Sequence, residues 1–143
     1  MRTVRIPLLP RAVRWAAVAL VAGFIFYTSI VTTPPPEAVV PKLGPPDLIP
    51  LDKWRHFLAY GALAGSLWYA TLDWDRSVRL VALFVLGVTI VYGIGIEFWQ
   101  SLIPRRYFSV GDAYANALGT LFVVPLFVLR ERVDGFGLFG DEA

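Results

Sequence analysis

The chain has 143 residues, 57% of them hydrophobic and 17% charged, against about 25% charged in an ordinary soluble domain. A net charge of +2 is too small to mark a nucleic-acid-binding surface, and the absence of cysteine excludes disulfides, thiolate catalysis and zinc–cysteine sites. A single histidine excludes a multi-histidine metal centre within one chain.

The apolar residues come in long runs rather than stripes, which predicts an all-α polytopic membrane protein with four transmembrane helices in one membrane domain. The first span, about 12–31, follows Arg2, Arg5 and Arg11. It outlasts the roughly 7–15-residue core of a signal peptide, and no small-residue cleavage pattern follows it, so an uncleaved helix is expected. Segment 32–50 holds seven prolines in nineteen residues; without backbone donors and with φ fixed it reads as an extended outer loop. The second span, about 54–72, ends at the charged turn Asp73–Ser77. The third, about 79–103, carries Glu97 and Gln100 near its end and stops at Pro104. The fourth, about 110–129, opens after Ser109, which forms an S-x-x-D capping-box pattern with Asp112. The remainder, 133–143, reads as a flexible tail.

Charge sets the expected orientation. With both ends inside, the inner segments hold Arg2, Arg5, Arg11, Arg14, Arg76, Arg79, Arg130 and Arg132, and the outer ones hold Lys42, Lys53, Arg55, Arg105 and Arg106. The excess of inner basic residues favours N-in, C-in, as a multi-pass protein of a plasma membrane. Alternation of the spans then brings three polar stretches to one depth: the start of the second span, the end of the third and the start of the fourth. Lys53, His56 and Tyr60 recur at i, i+3 and i+7 on one helix face, Glu97 and Gln100 at i and i+3, and Asp112, Asn116 and Gly119 at i, i+4 and i+7. Polar stripes cannot profitably face lipid, so they are expected to face one another. Glu97 lies deepest, roughly 9 Å of helix from Ile103 at 1.5 Å per residue. Gly61 and Gly65, and Gly111, Ala115 and Gly119, have the small-residue spacing that allows close helix packing.

Each polar residue also has a plainer reading. Asp52 and Asp112 are placed to cap helices, and Lys53 and Arg55 to snorkel to the interface. Arg105 and Arg106 suit a solvated loop, Tyr60 and Trp99 an aromatic belt, and Asn116 an inter-helix hydrogen bond. Glu97 resists such a reading, because a carboxylate within a span needs a partner or a proton.

DKWRHFLAYGAL resembles the first signature of the VanZ-like membrane proteins through Asp52, Lys53, His56, Phe57 and Tyr60. IEFWQSLIPRRYFSVGDAYANALG is similar to their second signature through Glu97, Gln100, Pro104, Arg106, Asp112, Asn116 and Gly119. The resemblance spans roughly residues 50–127 and implies a small multi-helix protein of the cell envelope, from a family named for a protein linked to resistance to the glycopeptide antibiotic teicoplanin. It implies no settled activity.

The residues themselves leave three functions open. The first is a site for an anionic lipid or lipid-linked headgroup, with Asp52, Lys53, Tyr60, Gln100, Arg105, Arg106 and Asn116 as ligand-binding residues; arginine suits bidentate contact with phosphate. The second is an intramembrane hydrolase or transferase with His56, Glu97 and Asp112 as candidate catalytic residues; a single metal held by these three is a variant of it. The third is a structural or assembly role in the envelope. The expected partner is a membrane lipid and not nucleic acid, and no cofactor is legible.

Overall fold

The structure, a computed structural model, describes residues 4–32, 51–104 and 106–138. The proline-rich segment from residue 33 with its Lys42, the side chain of Asp52, Arg105 and residues 139–143 lie outside the described residues.

The chain is mostly helical. Strand β1 (Val4–Leu8) leads through Pro10 into α1 (Arg11–Phe26), whose last turn widens into a π-turn at Tyr27–Val31. Three further helices follow: α2 (Leu51–Ala70), α3 (Val78–Ser101) and α4 (Val110–Leu121). Ser77 opens α3 by accepting from the Leu80 N–H, and Ser109 opens α4 by accepting from the Asp112 N–H. Helix α5 (Val124–Leu129), a 3₁₀ turn (Arg130–Arg132) and strand β2 (Val133–Gly137) close the fold.

Among the described residues three stretches are long and apolar enough to cross a membrane: Arg11–Val31, Val78–Ser101 and Val110–Leu129. The last, expected as one helix, is two helices end to end. Pro125 stands in the first turn of α5 and has no N–H for the carbonyl of Leu121, so the ladder breaks there.

Helix α2 is the most enclosed of the helices. It packs against α1, α3 and α4, with α4 its most extensive neighbour. Phe57, Tyr60, Leu63, Ala64, Leu67, Trp68 and Ala70 are all buried and form the middle of a core completed by Ile25, Val81, Val85, Val123 and Phe127. A helix covered by its neighbours needs less apolar surface, so α2 can carry Lys53, Arg55 and His56 near its start. The α2–α4 crossing depends on Gly119, where a Cβ would lie 2.6 Å from the Phe57 carbonyl oxygen. Buried Thr71, Thr89 and Thr120 each satisfy their hydroxyl on the carbonyl four residues earlier, so none places an unpaired donor in the core.

At the end of the bundle away from His56, α1 is tied to the α2–α3 turn. Arg14, 2% exposed, makes two 2.9 Å contacts with the Asp73 carboxylate and donates to the Ala70 carbonyl. Arg11 adds a 2.9 Å contact to the same carboxylate, and the Arg14 hydrogen bonds are the largest cause holding the Asp73 carboxyl down to about 2. Buried Arg130 donates to the Thr71 carbonyl at 2.6 Å.

The expectation of a purely α-helical chain with a flexible tail at 133–143 is corrected at this end. Residues Val133–Gly137 pair in parallel with Val4–Leu8, Val4 opposite Val133 and Leu8 opposite Gly137. The Arg5 guanidinium lies 5.0 Å from the Phe136 ring centroid, and Tyr69 of α2 accepts from the Leu9 N–H and donates to the Pro7 carbonyl. Pro7 is tolerated because a two-stranded sheet consists of edges.

Candidate functional site

The polar stripes of α2, α3 and α4 do meet. Glu97, fully buried, points from α3 toward the start of α4; its Oε2 accepts from the Ser109 N–H at 3.3 Å and its Oε1 lies 3.5 Å from Asn116 Nδ2. Asn116 is 2% exposed, and its Oδ1 is 2.7 Å from His56 Nδ1. His56 Nε2 lies 3.5 Å from Asp112 Oδ1, the oxygen to which Lys53 also donates. One continuous polar chain therefore runs from Glu97 through Asn116 and His56 to Asp112 and Lys53.

This chain fixes a tautomer. Asn116 uses its amide hydrogen toward the Glu97 carboxylate, which leaves Oδ1 as an acceptor. His56 Nδ1 must then carry a hydrogen and donate it. Neutral His56 presents a lone pair at Nε2, and protonated His56 presents an N–H toward Asp112. Either way the ring is oriented by Asn116, which is in turn oriented by the buried carboxylate. That is the arrangement of a base with an orienting partner behind it.

The capping box expected at Ser109 is half formed. Ser109 Oγ accepts from the Asp112 N–H at 3.1 Å, but the Ser109 N–H goes to Glu97 and the Asp112 carboxylate goes to Lys53 and His56. Breaking the reciprocal cap frees the Asp112 carboxylate and the Ser109 N–H for the network.

The other predicted ligand-binding residues divide. Gln100 and Arg106 turn away from Glu97 toward α1: Gln100 donates to the Ser29 carbonyl at 3.0 Å, and Arg106 donates to the same carbonyl and, at 2.7 Å, to that of Thr32. They close the carbonyl end of α1, where a cation also meets the negative end of the helix dipole. Tyr60 is not in an interfacial belt. It is 2% exposed, packed on Gly93, with its ring 6.5 Å from that of Tyr92. Its hydroxyl has no hydrogen-bond partner among the described residues. Asp52 and Arg105 lie outside the description of side chains. Among the described residues no three histidine, aspartate or glutamate side chains are grouped to hold a metal ion.

A groove of about 960 Å³ opens beside this network, between α1 and α2. At its polar end stand Arg55, His56, Gln100 and Arg106, with Tyr60 on its wall; farther along it is lined by Leu20, Phe24, Leu58 and Ala62. Sequence reading missed three partners here: the Ser29 and Thr32 carbonyls and the Ser109 N–H are backbone atoms, which residue types do not mark.

Compared with models of known families, with curated proteins and with solved structures, the chain gives no match.

Proposed function

We propose that the protein is a VanZ-like integral membrane protein that binds an anionic lipid or lipid-linked headgroup of the cell envelope at the α1/α2 groove. The observation that carries this reading is the composition of that groove: cationic and hydrogen-bonding side chains at one end, exposed apolar side chains along the rest. A headgroup and its hydrocarbon have that same division.

The topology proposed is four crossings with both ends inside. The pairing of β1 with β2 supports an even number of crossings between them. Among the described residues three helices are apolar enough to cross, and α2, twenty residues or about 30 Å at 1.5 Å per residue, is the natural fourth. The basic residues of the segments assigned inside support the orientation in a plasma membrane.

Lipids retained by the detergent-purified protein test the reading. Mass spectrometry is expected to find anionic lipids enriched over their share of the source membrane, and the enrichment reduced in His56→Ala. Retained lipids that mirror the bulk membrane in both proteins would remove the proposal.

A second reading, a hydrolase or transferase acting on the bound headgroup, is favoured by the Glu97–Asn116–His56 order alone. In it His56 Nε2 takes a proton from the attacking group, and Asn116 and Glu97 hold the ring. Turnover of the lipid found by that experiment, lost in His56→Ala and not in Thr89→Val, is the outcome this reading requires.

A further inference from the structure

Arg55 is the cation at the groove mouth whose side chain is left over. Arg106 is committed to the Ser29 and Thr32 carbonyls just past α1, and Lys53 to Asp112. Arg55 is exposed, lines the groove, and among the described residues makes no hydrogen bond or ion pair. Below it, Leu58 and Ala62 follow at i+3 and i+7, so all three share one face of α2. Across the groove Leu20, Phe24 and Thr28 recur at intervals of four along α1. Leu20, Phe24 and Leu58 are 74%, 68% and 67% exposed, large apolar side chains that are left uncovered along one slot. The slot runs for roughly 10 Å below Arg55 at the helical rise of 1.5 Å per residue.

Resting on the lipid reading above, we infer that the α1/α2 groove seats one hydrocarbon chain of an anionic phospholipid, and that Arg55 holds its phosphate. Two observations converge on this occupant. The first is charge: an uncommitted guanidinium, able to bind phosphate in bidentate fashion, stands beside His56 at the mouth. The second is the uncovered apolar slot below it, formed by Leu20 and Phe24 of α1 and Leu58 of α2. The groove opens sideways, along exposed side chains of both helices, so the lipid enters from the bilayer rather than from water. Arg106 and Gln100 then serve the site as positioning residues, by holding the end of α1 that forms one wall.

The test uses the full chain in phosphatidylcholine vesicles containing a minor fraction of phosphatidylglycerol with a photoreactive acyl chain. A matched photoreactive phosphatidylcholine is the control, and adducts are mapped by mass spectrometry. Adducts are expected at Leu20, Phe24, Leu58 and Ala62, about tenfold more with the anionic probe, as one charge-assisted contact allows. Arg55→Gln should bring the two probes to parity, Ala62→Trp should remove the groove adducts, and inorganic phosphate should not compete. Ala62 and Arg55 are exposed, so both variants are expected to keep the parent's thermal unfolding; Leu58→Trp repeats the blockade from a second position. Adducts spread evenly over Leu83 and Val91 of α3, or an anionic preference untouched by Arg55→Gln, would overturn the inference. If groove adducts are absent while anionic lipids still co-purify, this inference fails and the headgroup reading survives. If neither is found, both fail.

Discussion

Asn116 serves two neighbours at once, which makes it the most exacting residue of the polar chain. Asn116→Ala leaves the Glu97 Oε1 and the His56 Nδ1–H without their partner, at a cost of about 1–3 kcal/mol for each group stranded away from water. Thr89→Val is the contrast: its hydroxyl bonds only the Val85 carbonyl, which α3 already satisfies, so a change within about 1 kcal/mol is expected. Equilibrium unfolding in mild detergent measures both, and equal losses would mean that the polar chain contributes nothing particular. At this scale the sequence was informative about which side chains meet. Lys53 and His56 repeat at helical spacing on α2, as Asp112 and Asn116 do on α4, and Glu97 needs a partner or a proton within its span. It was silent on allocation. Arg55 and Arg106 differ in role because the Ser29 and Thr32 carbonyls just past α1 come within reach of one and not the other, and a carbonyl is present at every position of every sequence.

Small-residue spacing at the level of helices proved only half meaningful. Gly61 and Gly65 are equally good by spacing, yet a Cβ on Gly61 would touch the Gly119 carbonyl at 3.3 Å, while one on Gly65 would meet nothing within 4 Å. Gly119 itself is against the backbone of Phe57. Gly119→Ala is therefore expected to destabilise by about 1–3 kcal/mol as the two backbones are forced apart, and to displace His56 from Asn116 along with the helix. Gly65→Ala is expected to be neutral or to stabilise by up to about 1 kcal/mol through its higher helix propensity. Thermal unfolding of the two variants side by side decides it. The element boundaries follow a related logic. The opening of α4 was read from Ser109, whereas the break between α4 and α5 at Pro125 was missed in a span expected as one helix. That Ser109 would hand its own N–H to Glu97 depended on the packing of α3 against α4, which no local pattern encodes.

For the molecule as a whole, the polar network at one end is matched by an ion cluster at the other. The Asp73 carboxyl titrates near 2 in the folded chain against an ordinary 3.8, first because Arg14 hydrogen-bonds the charged form. Between those values the unfolded chain binds more protons than the folded one, so this group's contribution is present above about pH 4 and is lost as pH falls toward 2. Wild type and Asp73→Asn should accordingly differ most in unfolding temperature at pH 5–7 and converge toward pH 2. A difference that stays constant over that range would show that the cluster is not coupled to folding. The sequence reading counted Arg11 and Arg14 only as orientation signals. Their shared carboxylate lies across a helix and a loop, so their second role emerges only once α1 and α2 are set side by side.

The parallel pairing of β1 with β2 also orders events during synthesis. Val4–Leu8 is made before α1 and Val133–Gly137 after α5, so the sheet cannot close until α1 to α5 have been made. Until then the early strand is held by the Tyr69 hydroxyl and by Ile6 against the core, with most of its backbone donors and acceptors solvated. Closure of this late latch is the step that reports a finished bundle.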